Sequence, residues 1–390
     1  MWDNNPTSPL YFLHSIMLKS LIMKKIILFI LLTGYSCIYA QNKTGLTTDG
    51  PYLLYEETGV RSIQVDSTGY LLDTVYKVLP VDFSLKVTSE TGHHTFQVKL
   101  RQAQRPSWKD KQPAKVFVIS DPHGDMDCFV SILRGGQIID DTYKWTFGNN
   151  HLVVIGDVFD RGKDVLPVFW LLYKLQQEAE EAGGKATFLL GNHEEMVIRN
   201  NLTYTQKKYK QLADTLHLPY HALWQENSVL GQWLQTRNTM QVIGANLFVH
   251  AGLSPQLVSK HLSAPAVNDT ISSYLFKTKE ERSVSPLAAF LFGDMGPLWY
   301  RGMVRTDIKY NPANIPEVDD VLKEYHVNRV YVGHTIFTDI MSFFNEKIIG
   351  VNVDNNENYK GQRARGVLIE GKKVYLVYDS GTILERFRGK

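Results

Sequence analysis

Between residues 116 and 334, five short apolar runs each end in a side chain that can bind a metal ion. The residues that follow these runs are Asp121, His123, Asp157, Asn192, His250 and His334. Taken singly, an Asp after a strand is usually a turn former or a helix cap, and a His there is usually an interior side chain with a hydrogen-bond partner. Five such coincidences instead predict a mixed set of oxygen and nitrogen ligands for two divalent ions such as Mn, Fe or Zn.

A pair of divalent ions favours one kind of chemistry. Two ions about 3.5 to 4 Å apart need a carboxylate that can bridge them, and together they stabilise the attacking and leaving oxygens of an in-line displacement at phosphorus. Asp157 is the natural candidate for the bridging ligand. The set therefore predicts hydrolysis of a phosphoester.

The elements that must position these ligands are indicated by the apolar runs themselves. The runs cover residues 116–119, 152–155, 187–190, 247–249 and 330–333. Runs of about four apolar residues without alternation are typical of strands buried on both faces, with helices such as the one predicted over 166–182 packed against them. Because open α/β sheets place ligands at the carboxyl ends of their strands, the pattern predicts an α/β fold with the site at that edge.

Four motifs resemble those of the calcineurin-like metallophosphoesterases and, within them, the phosphoprotein phosphatases. The motifs are Asp121-Pro122-His123-Gly124, Gly156-Asp157-Val158-Phe159-Asp160-Arg161-Gly162, Gly191-Asn192-His193-Glu194 and His250-Ala251-Gly252-Leu253-Ser254-Pro255. Segments 297–302 and 332–335 are similar to the Shewanella-like, bacterial-type branch of those phosphatases. Ser120 and Ala251 stand where the family usually has Gly, and both are expected to act as spacers.

The resemblance extends from about residue 116 to the C-terminus and implies a fold and a division of ligands. The fold is a metallophosphoesterase-type β-sandwich of two mixed sheets flanked by helices. The implied ligands are Asp121, His123 and His334 on one ion, Asn192 and His250 on the other, and Asp157 between them. A hydroxide that bridges both ions is expected to attack phosphorus directly, because the ions lower the pKa of bound water.

Four residues of these motifs are candidates for catalysis besides the ligands. A hydrogen bond between His193 and Asp160 would keep the imidazole charged as general acid for the leaving oxygen. Arg161 and Arg301 would hold the phosphate oxygens through paired guanidinium contacts, and Asn192 is counted with them as a substrate contact. Two alternatives remain open: Asp160 as a cap of the following helix, and Arg301 in a surface salt bridge.

The insertion between residues 196 and 237 is polar and helical in pattern, and we expect it to form one wall of the substrate cleft. It carries Tyr204, Tyr209, Tyr220 and Trp224. Aromatic side chains in such a segment pack locally more often than they contact substrate, and local packing is the first expectation here.

The first 40 residues are predicted to be a targeting segment. From Met23 the chain has two lysines, the apolar run 26–32, and small and polar residues up to Ala40, which is the layout of a secretory signal peptide. Residues 1–22 precede a second plausible start at Met23 and are interpreted as an upstream extension. A short membrane anchor is the alternative. We expect cleavage after Ala40 and a bacterial protein that is periplasmic or secreted, with no stable membrane span.

The remaining chain divides by composition into two parts. Residues 41–113 carry alternating runs such as 52–55, 70–72 and 96–100, the two-residue period of antiparallel strands, and predict a small β-rich attachment that ends in the polar linker 101–115. Residues 114–390 are predicted to form the catalytic domain.

Composition and charge exclude several classes of protein. The 390 residues are 44% hydrophobic and 21% charged, which excludes a disordered or collagenous chain. Lys and Arg number 42 against 40 Asp and Glu, so the net charge of +2 gives no indication of a nucleic-acid partner.

The sequence thus predicts an exported dinuclear metal-dependent phosphatase that acts on phosphomonoesters of proteins, peptides or small molecules. The alternative is a hydrolase of small nucleotides or dinucleoside polyphosphates, since the same metal motifs occur in such enzymes and a shared fold does not separate them. A catalytically silent binding module is disfavoured, because every candidate ligand and both arginines are present.

Overall fold

The computed structural model describes residues 36–388. Its strands are β1 Ser36–Lys43, β2 Asp49–Glu56, β3 Gly59–Val65, β4 Tyr70–Tyr76, β5 Ser84–Thr88, β6 Thr95–Lys99, β7 Lys109–Asp110, β8 Lys115–Ser120, β9 His151–Ile155, β10 Lys185–Leu189, β11 Met240–Ile243, β12 Asn246–Val249, β13 Arg329–Val332, β14 Met341–Phe343, β15 Ile348–Gly350, β16 Arg365–Glu370, β17 Lys373–Tyr378 and β18 Ile383–Arg388.

Helices connect these strands and cover their outer faces. They are α1 Met126–Gly135, α2 Val165–Glu181, α3 Asn192–Ile198, α4 Lys207–Leu216, α5 Val229–Gln235, α6 Pro255–Val258, α7 Ala264–Tyr274, α8 Lys279–Ser283, α9 Pro286–Leu291, α10 Ile315–Glu324 and α11 Asn355–Lys360, with 3-10 turns at Tyr220–Trp224 and Ile308–Tyr310. The helix predicted over 166–182 is therefore present as α2.

Two mixed sheets of six strands form the centre of the molecule. The first has the order β10-β9-β8-β16-β17-β18, in which β10, β9 and β8 are parallel and the other pairs antiparallel. The second has the order β14-β15-β13-β12-β11-β7, with β15, β13 and β12 parallel. The predicted α/β sandwich of two mixed sheets is confirmed.

The sheets pack face to face through an apolar core. Val118 and Val153 of the first sheet lie there with Phe248 and Tyr331 of the second, whose rings stack at a centroid distance of 5.1 Å. The outward side chains of the same strands, such as Phe117, pack under the helices in a separate apolar cluster. Burial on both faces explains why the strand sequences do not alternate between apolar and polar residues.

The N-terminal region adds two small antiparallel sheets. One has the order β1-β4-β3-β2 and the other is the hairpin β5-β6. The larger sheet is attached to the helices: Trp170 of α2 donates a hydrogen bond to the carbonyl oxygen of Pro51 at 3.0 Å, and Tyr55 N donates to Asn227 O at 2.6 Å. The segment predicted to be a polar linker contains β7, which pairs with β11 in the second central sheet.

The predicted signal peptide lies largely outside the described residues. Strand β1 begins at Ser36 and spans the predicted cleavage point after Ala40, so a chain cleaved there keeps only the last three residues of this edge strand. Within residues 36–388, no helix is both long and apolar enough to cross a membrane.

Candidate active site

The five predicted strands end at one edge of the sandwich, and the motif residues follow them there. Several of these residues have a left-handed backbone, with φ between 42° and 69°: Asp121, His123, Asp157, Asp160, Arg161 and His334. Non-glycine residues seldom adopt this conformation unless the surrounding structure holds them. Asp121 N donates to Gly156 O at 3.2 Å, and His123 N donates to Asp157 O at 2.9 Å, so the first two motif loops fix each other.

Asp157 is at the centre of the cluster and is 1% exposed. It belongs to two groups whose ligand atoms lie within 4.8 Å of one another: His123 with His193, and His250 with His334. As the residue common to both groups, Asp157 has the position that a bridging ligand needs. The grouping differs from the predicted division, because His334 lies with His250 and not with His123, and because the first group contains His193 instead of Asp121.

The imidazoles point their Nε2 atoms into the cluster. His123 Nδ1 donates to Phe159 O at 2.8 Å, and His250 Nδ1 donates to Ile155 O at 2.9 Å. The buried Nε2 atom of His334 has no hydrogen-bond partner. Burial lowers the pKa of His123 to about 3 and that of His334 well below its usual value, so both rings are neutral and offer a lone pair.

Three electron-pair donors converge at His250. Its Nε2 atom lies 2.9 Å from Asn192 Oδ1 and 3.2 Å from Asp157 Oδ2. Burial disfavours the charged ring, but Asp157 and Asp121 raise the pKa of His250 to about 9. These oxygens therefore stabilise a positive charge at this point, and a divalent ion would take the place of the His250 proton. The donors present fit a metal site.

Asp121 is held by hydrogen bonds to both carboxylate oxygens. Oδ1 accepts from the backbone N of His334 at 3.2 Å and from the Ser120 hydroxyl, and Oδ2 accepts from the Asn352 amide at 2.7 Å. Burial and the charge of Asp157 raise the pKa of Asp121 to about 6. Ser120 is thus more than the spacer it was expected to be, because its hydroxyl contacts a candidate ligand.

Asn352 was not among the predicted site residues. It follows β15, which runs parallel to β13 in the second sheet, and it is 3% exposed. The run 348–351 is apolar and is followed by a polar side chain, which is the same signal that the other five runs give. Outer partners of this kind orient metal ligands and are part of the site.

Glu194 joins the second motif to the third. Its carboxylate accepts from the backbone N atoms of Gly191 at 2.7 Å, Asp157 at 2.9 Å and Val158 at 2.8 Å, and the residue is fully buried. Burial, followed by repulsion from Asp157, raises the pKa of Glu194 to about 7. The sequence places this residue in a motif, but its role as a link between two loops depends on tertiary contacts.

The predicted contact between His193 and Asp160 is present. His193 Nδ1 lies 2.6 Å from Asp160 Oδ2, and both side chains are buried. Burial opposes a charge on the ring, but Asp157 and the bond to Asp160 raise the pKa of His193 above its usual value. Asp160 does not cap the following helix, since the N-cap of α2 is Asp164, which makes no side-chain cap bond.

The two arginines occupy different positions. Arg301 is half-buried, and its Nη1 atom donates to His334 O at 3.1 Å and to Thr335 Oγ1 at 2.9 Å, so neutral oxygens rather than a surface carboxylate hold it. Arg161 is exposed at the mouth of the site, with its guanidinium 6.0 Å from the ring of Tyr204.

The insertion between residues 196 and 237 contributes packing and one exposed ring. Tyr209, Tyr220 and Trp224 are buried, as expected for local packing. Tyr204 is 53% exposed, and its ring centroid lies 5.4 Å from that of His193. Of the four aromatic residues considered, Tyr204 is the one that contacts the candidate site.

Residues 114–336 match the family model of the calcineurin-like phosphoesterases. The chain belongs to this family. The phosphoesterase is therefore a metal-dependent phosphoric ester hydrolase, and the clustered Asp and His residues are its candidate metal site.

Its relatives include proteins of the Shewanella-like group. Shewanella-like protein phosphatase 2 of Arabidopsis thaliana is 26% identical over 62% of this phosphoesterase and 72% of the relative. An uncharacterized protein of Schizosaccharomyces pombe is 28% identical over 66% and 77% of the two chains. The crystal structure of a cold-active protein-tyrosine phosphatase from a psychrophilic Shewanella species is 28% identical, has a TM-score of 0.76 and covers 87% of this chain and 99% of its own. The phosphoesterase is related to this group of phosphatases, as the motifs indicated.

Asp157→Asn should abolish metal binding at the shared position. A neutral amide does not compensate two adjacent dications as a carboxylate does, so we expect activity to fall by at least about 100-fold and metal content to drop. Elemental analysis and phosphatase assays of the reloaded protein measure both. Asp141→Asn, at a side chain that is 96% exposed, is the control. Full metal content with normal turnover in Asp157→Asn would remove Asp157 from the site.

Asn352→Leu should weaken metal binding without unfolding the protein. The substitution removes the hydrogen bond to Asp121 Oδ2 at similar side-chain volume, and loss of such an outer partner reduces metal affinity by about 10- to 100-fold. Competition with a chelator measures the affinity. Asn246→Leu removes another buried amide, which donates to Gln112 at 3.1 Å at the start of β12, and should leave the affinity unchanged. Equal effects of the two variants would contradict the assignment.

Proposed function

We propose that this phosphoesterase is an exported dinuclear phosphatase that hydrolyses phosphomonoesters on protein or peptide side chains. The observation that carries the proposal is the combination, in one buried cluster, of a doubly shared Asp157, neutral imidazoles and a His193 ring bonded to Asp160. The proposed set of metal ligands is Asp121, His123, Asp157, Asn192, His250 and His334.

The donor set is suited to Mn, Fe or Zn, because it mixes carboxylate, amide and imidazole groups. When bound, two such ions provide a nucleophile derived from water at neutral pH and stabilise negative charge on the phosphate. The protein holds the ligands in fixed orientations through Asn352, Ser120 and Glu194.

The chain itself would perform the remaining steps. Arg301 has further N–H groups besides those bonded to His334 and Thr335, and these would hold the phosphate oxygens together with the exposed Arg161. His193 would donate a proton from Nε2 to the leaving oxygen, and Asp160 would stabilise the charged ring.

The choice of a protein or peptide substrate is supported by the relatives and by the position of Tyr204. Two relatives are named as protein phosphatases, one of them specific for tyrosine in its name. The exposed ring of Tyr204 beside His193 can accommodate a side chain that carries the phosphate. The mature protein, stripped of metal and reloaded with Mn, Fe or Zn, should therefore hydrolyse phosphotyrosine, phosphoserine or phosphothreonine peptides with a higher kcat/KM than dinucleoside polyphosphates. A preference for dinucleoside polyphosphates would favour the nucleotide hydrolase instead.

His193→Asn should slow the hydrolysis of alkyl phosphates far more than that of nitrophenyl phosphate. An alkoxide needs a proton in the transition state and a nitrophenolate does not, so the alkyl substrate should lose the roughly 10²- to 10⁴-fold typical of a positioned acid. Metal content should stay close to that of the wild type. Equal losses on both substrates, together with lost metal, would show that His193 is a ligand or a structural residue.

Export of the protein has its own test. The dibasic start after Met23 and the apolar run 26–32 support secretion. Protein from the native host should begin near Gln41, as N-terminal sequencing can measure. A charged residue placed within 26–32 should keep the chain in the cytoplasm and uncleaved. An intact, soluble cytoplasmic wild-type chain that begins at Met1 or Met23 would contradict export.

A further inference from the structure

Residues 201–206, between α3 and α4, pack on the second motif although they belong to no motif themselves. Thr205 donates a hydrogen bond from its hydroxyl to Asp160 Oδ1 at 2.6 Å and is 7% exposed. The other oxygen of the same carboxylate, Oδ2, accepts from His193 Nδ1 at 2.6 Å. Both oxygens of Asp160 therefore have a partner, and Thr205, Asp160 and His193 form one chain of hydrogen bonds.

The same segment also holds the backbone beneath this chain. Asp160 and Arg161 have φ values of 69° and 62°, a conformation that non-glycine residues keep only where contacts impose it. Tyr204 O accepts from Arg161 N at 3.1 Å, and the Gln206 amide donates to Arg161 O. Segment 201–206 thus fixes the position of Asp160 through the backbone, while Thr205 contacts its carboxylate.

The Thr205 hydroxyl determines the plane of the carboxylate. The last torsion of an aspartate side chain is broad, so a carboxylate bonded only to the imidazole has freedom to rotate. A bond to the second oxygen restricts that rotation, and the β-branched Thr side chain is itself stiff at χ1. Burial strengthens the effect, because Thr205 and Asp160 are only 7% and 1% exposed and a hydroxyl that donates to a carboxylate is a charge-assisted donor.

The orientation of His193 depends on this carboxylate. His193 Nε2 lies 3.9 Å from Asp157 Oδ2, so a tilt of the ring would turn Nε2 towards Asp157 and away from the leaving oxygen. The backbone N of His193 donates to Asp157 Oδ1 at 2.9 Å and fixes the start of the side chain, but not its ring. The ring itself is hydrogen-bonded to Asp160 through Nδ1.

We propose that Thr205 is a positioning residue of the phosphatase reaction. Its hydroxyl orients Asp160, and Asp160 orients the His193 imidazole towards the leaving oxygen. Thr205 acts only through these two residues. The inference rests on the proposed function, in which His193 is the proton donor.

The test compares two substitutions at Thr205 with a matched control. Thr205→Val removes the hydroxyl and keeps the branched shape, whereas Thr205→Ser keeps the hydroxyl and removes the methyl group. Thr187→Val is the control, because Thr187 is also buried and its hydroxyl lies 2.7 Å from a ring nitrogen of His151, at the other end of the strands. Each variant is assayed on phosphomonoesters whose leaving groups range from alkoxides to nitrophenolate.

Thr205→Val should lower kcat for alkyl phosphates by about 10-fold or more, which is the range typical of a lost outer partner. The same variant should lower kcat for nitrophenyl phosphate by less than about 3-fold, because that leaving group needs no proton. Thr205→Ser should stay within about 3-fold of the wild type on both substrates. Thr187→Val should not change the ratio of the two rates. Metal content and the melting temperature are measured for every variant.

Proton NMR tests the hydrogen-bond chain without an assay of activity. The proton on His193 Nδ1 should resonate far downfield, and its signal is assigned by its loss in His193→Asn. Thr205→Val should shift this signal, whereas Thr205→Ser and Thr187→Val should leave it in place. If Thr205→Val does not fold, Thr205→Ala removes the same hydroxyl with less crowding and takes its place in both experiments.

Two results would overturn the inference: equal rate losses across all leaving groups, or a Ser variant as impaired as the Val variant. An unshifted His193 signal in Thr205→Val would also contradict it. Failure of the proposed function looks different, because then the wild-type protein would hydrolyse no phosphomonoester with any metal. The NMR comparison would still decide in that case whether Thr205 orients the His193 and Asp160 pair.

Discussion

The site is built around one constraint: the buried carboxylate of Asp157 lies among other electron-pair donors and must be stabilised there. Asp157 is 1% exposed, and the same cluster contains the neutral rings of His123 and His334, the amide oxygen of Asn192 and the carboxylate of Asp121. Groups of this kind repel one another in a medium of low dielectric constant unless cations lie between them. The cluster is therefore explained as a site for divalent ions, and the folded chain holds its donors together at a cost in backbone strain.

Contacts between the motif loops hold the strained backbone in place. Gly156 has a φ of 71°, and a Cβ atom there would lie 2.7 Å from both Gly191 Cα and His250 Nδ1, so a larger residue would separate the motif loops. The carboxylate of Glu194 accepts hydrogen bonds from the backbone N atoms of Asp157 and Gly191, and so links the second motif loop to the third. The two-sheet core beneath provides the rigid base from which the strand ends project.

Much of this arrangement could be predicted from the sequence, because the strands are short apolar runs and the ligands follow them directly. Asn352 follows the same rule, since it comes directly after the apolar run 348–351, so the sequence carries the signal for this position too. Thr205 is different: it lies 45 residues from Asp160, in an insertion without a recognisable motif, and only tertiary packing brings the two together. The grouping of His334 with His250 also could not be predicted, because a strand end indicates where a side chain begins but not where it points.

The central claim is that two divalent ions bind on either side of Asp157. Anomalous diffraction from crystals of the manganese-loaded phosphoesterase tests it most directly. The account predicts two peaks about 3.5 to 4 Å apart, with one oxygen or both oxygens of the Asp157 carboxylate contacting both. A single peak, or two peaks with Asp157 in contact with neither, would contradict it.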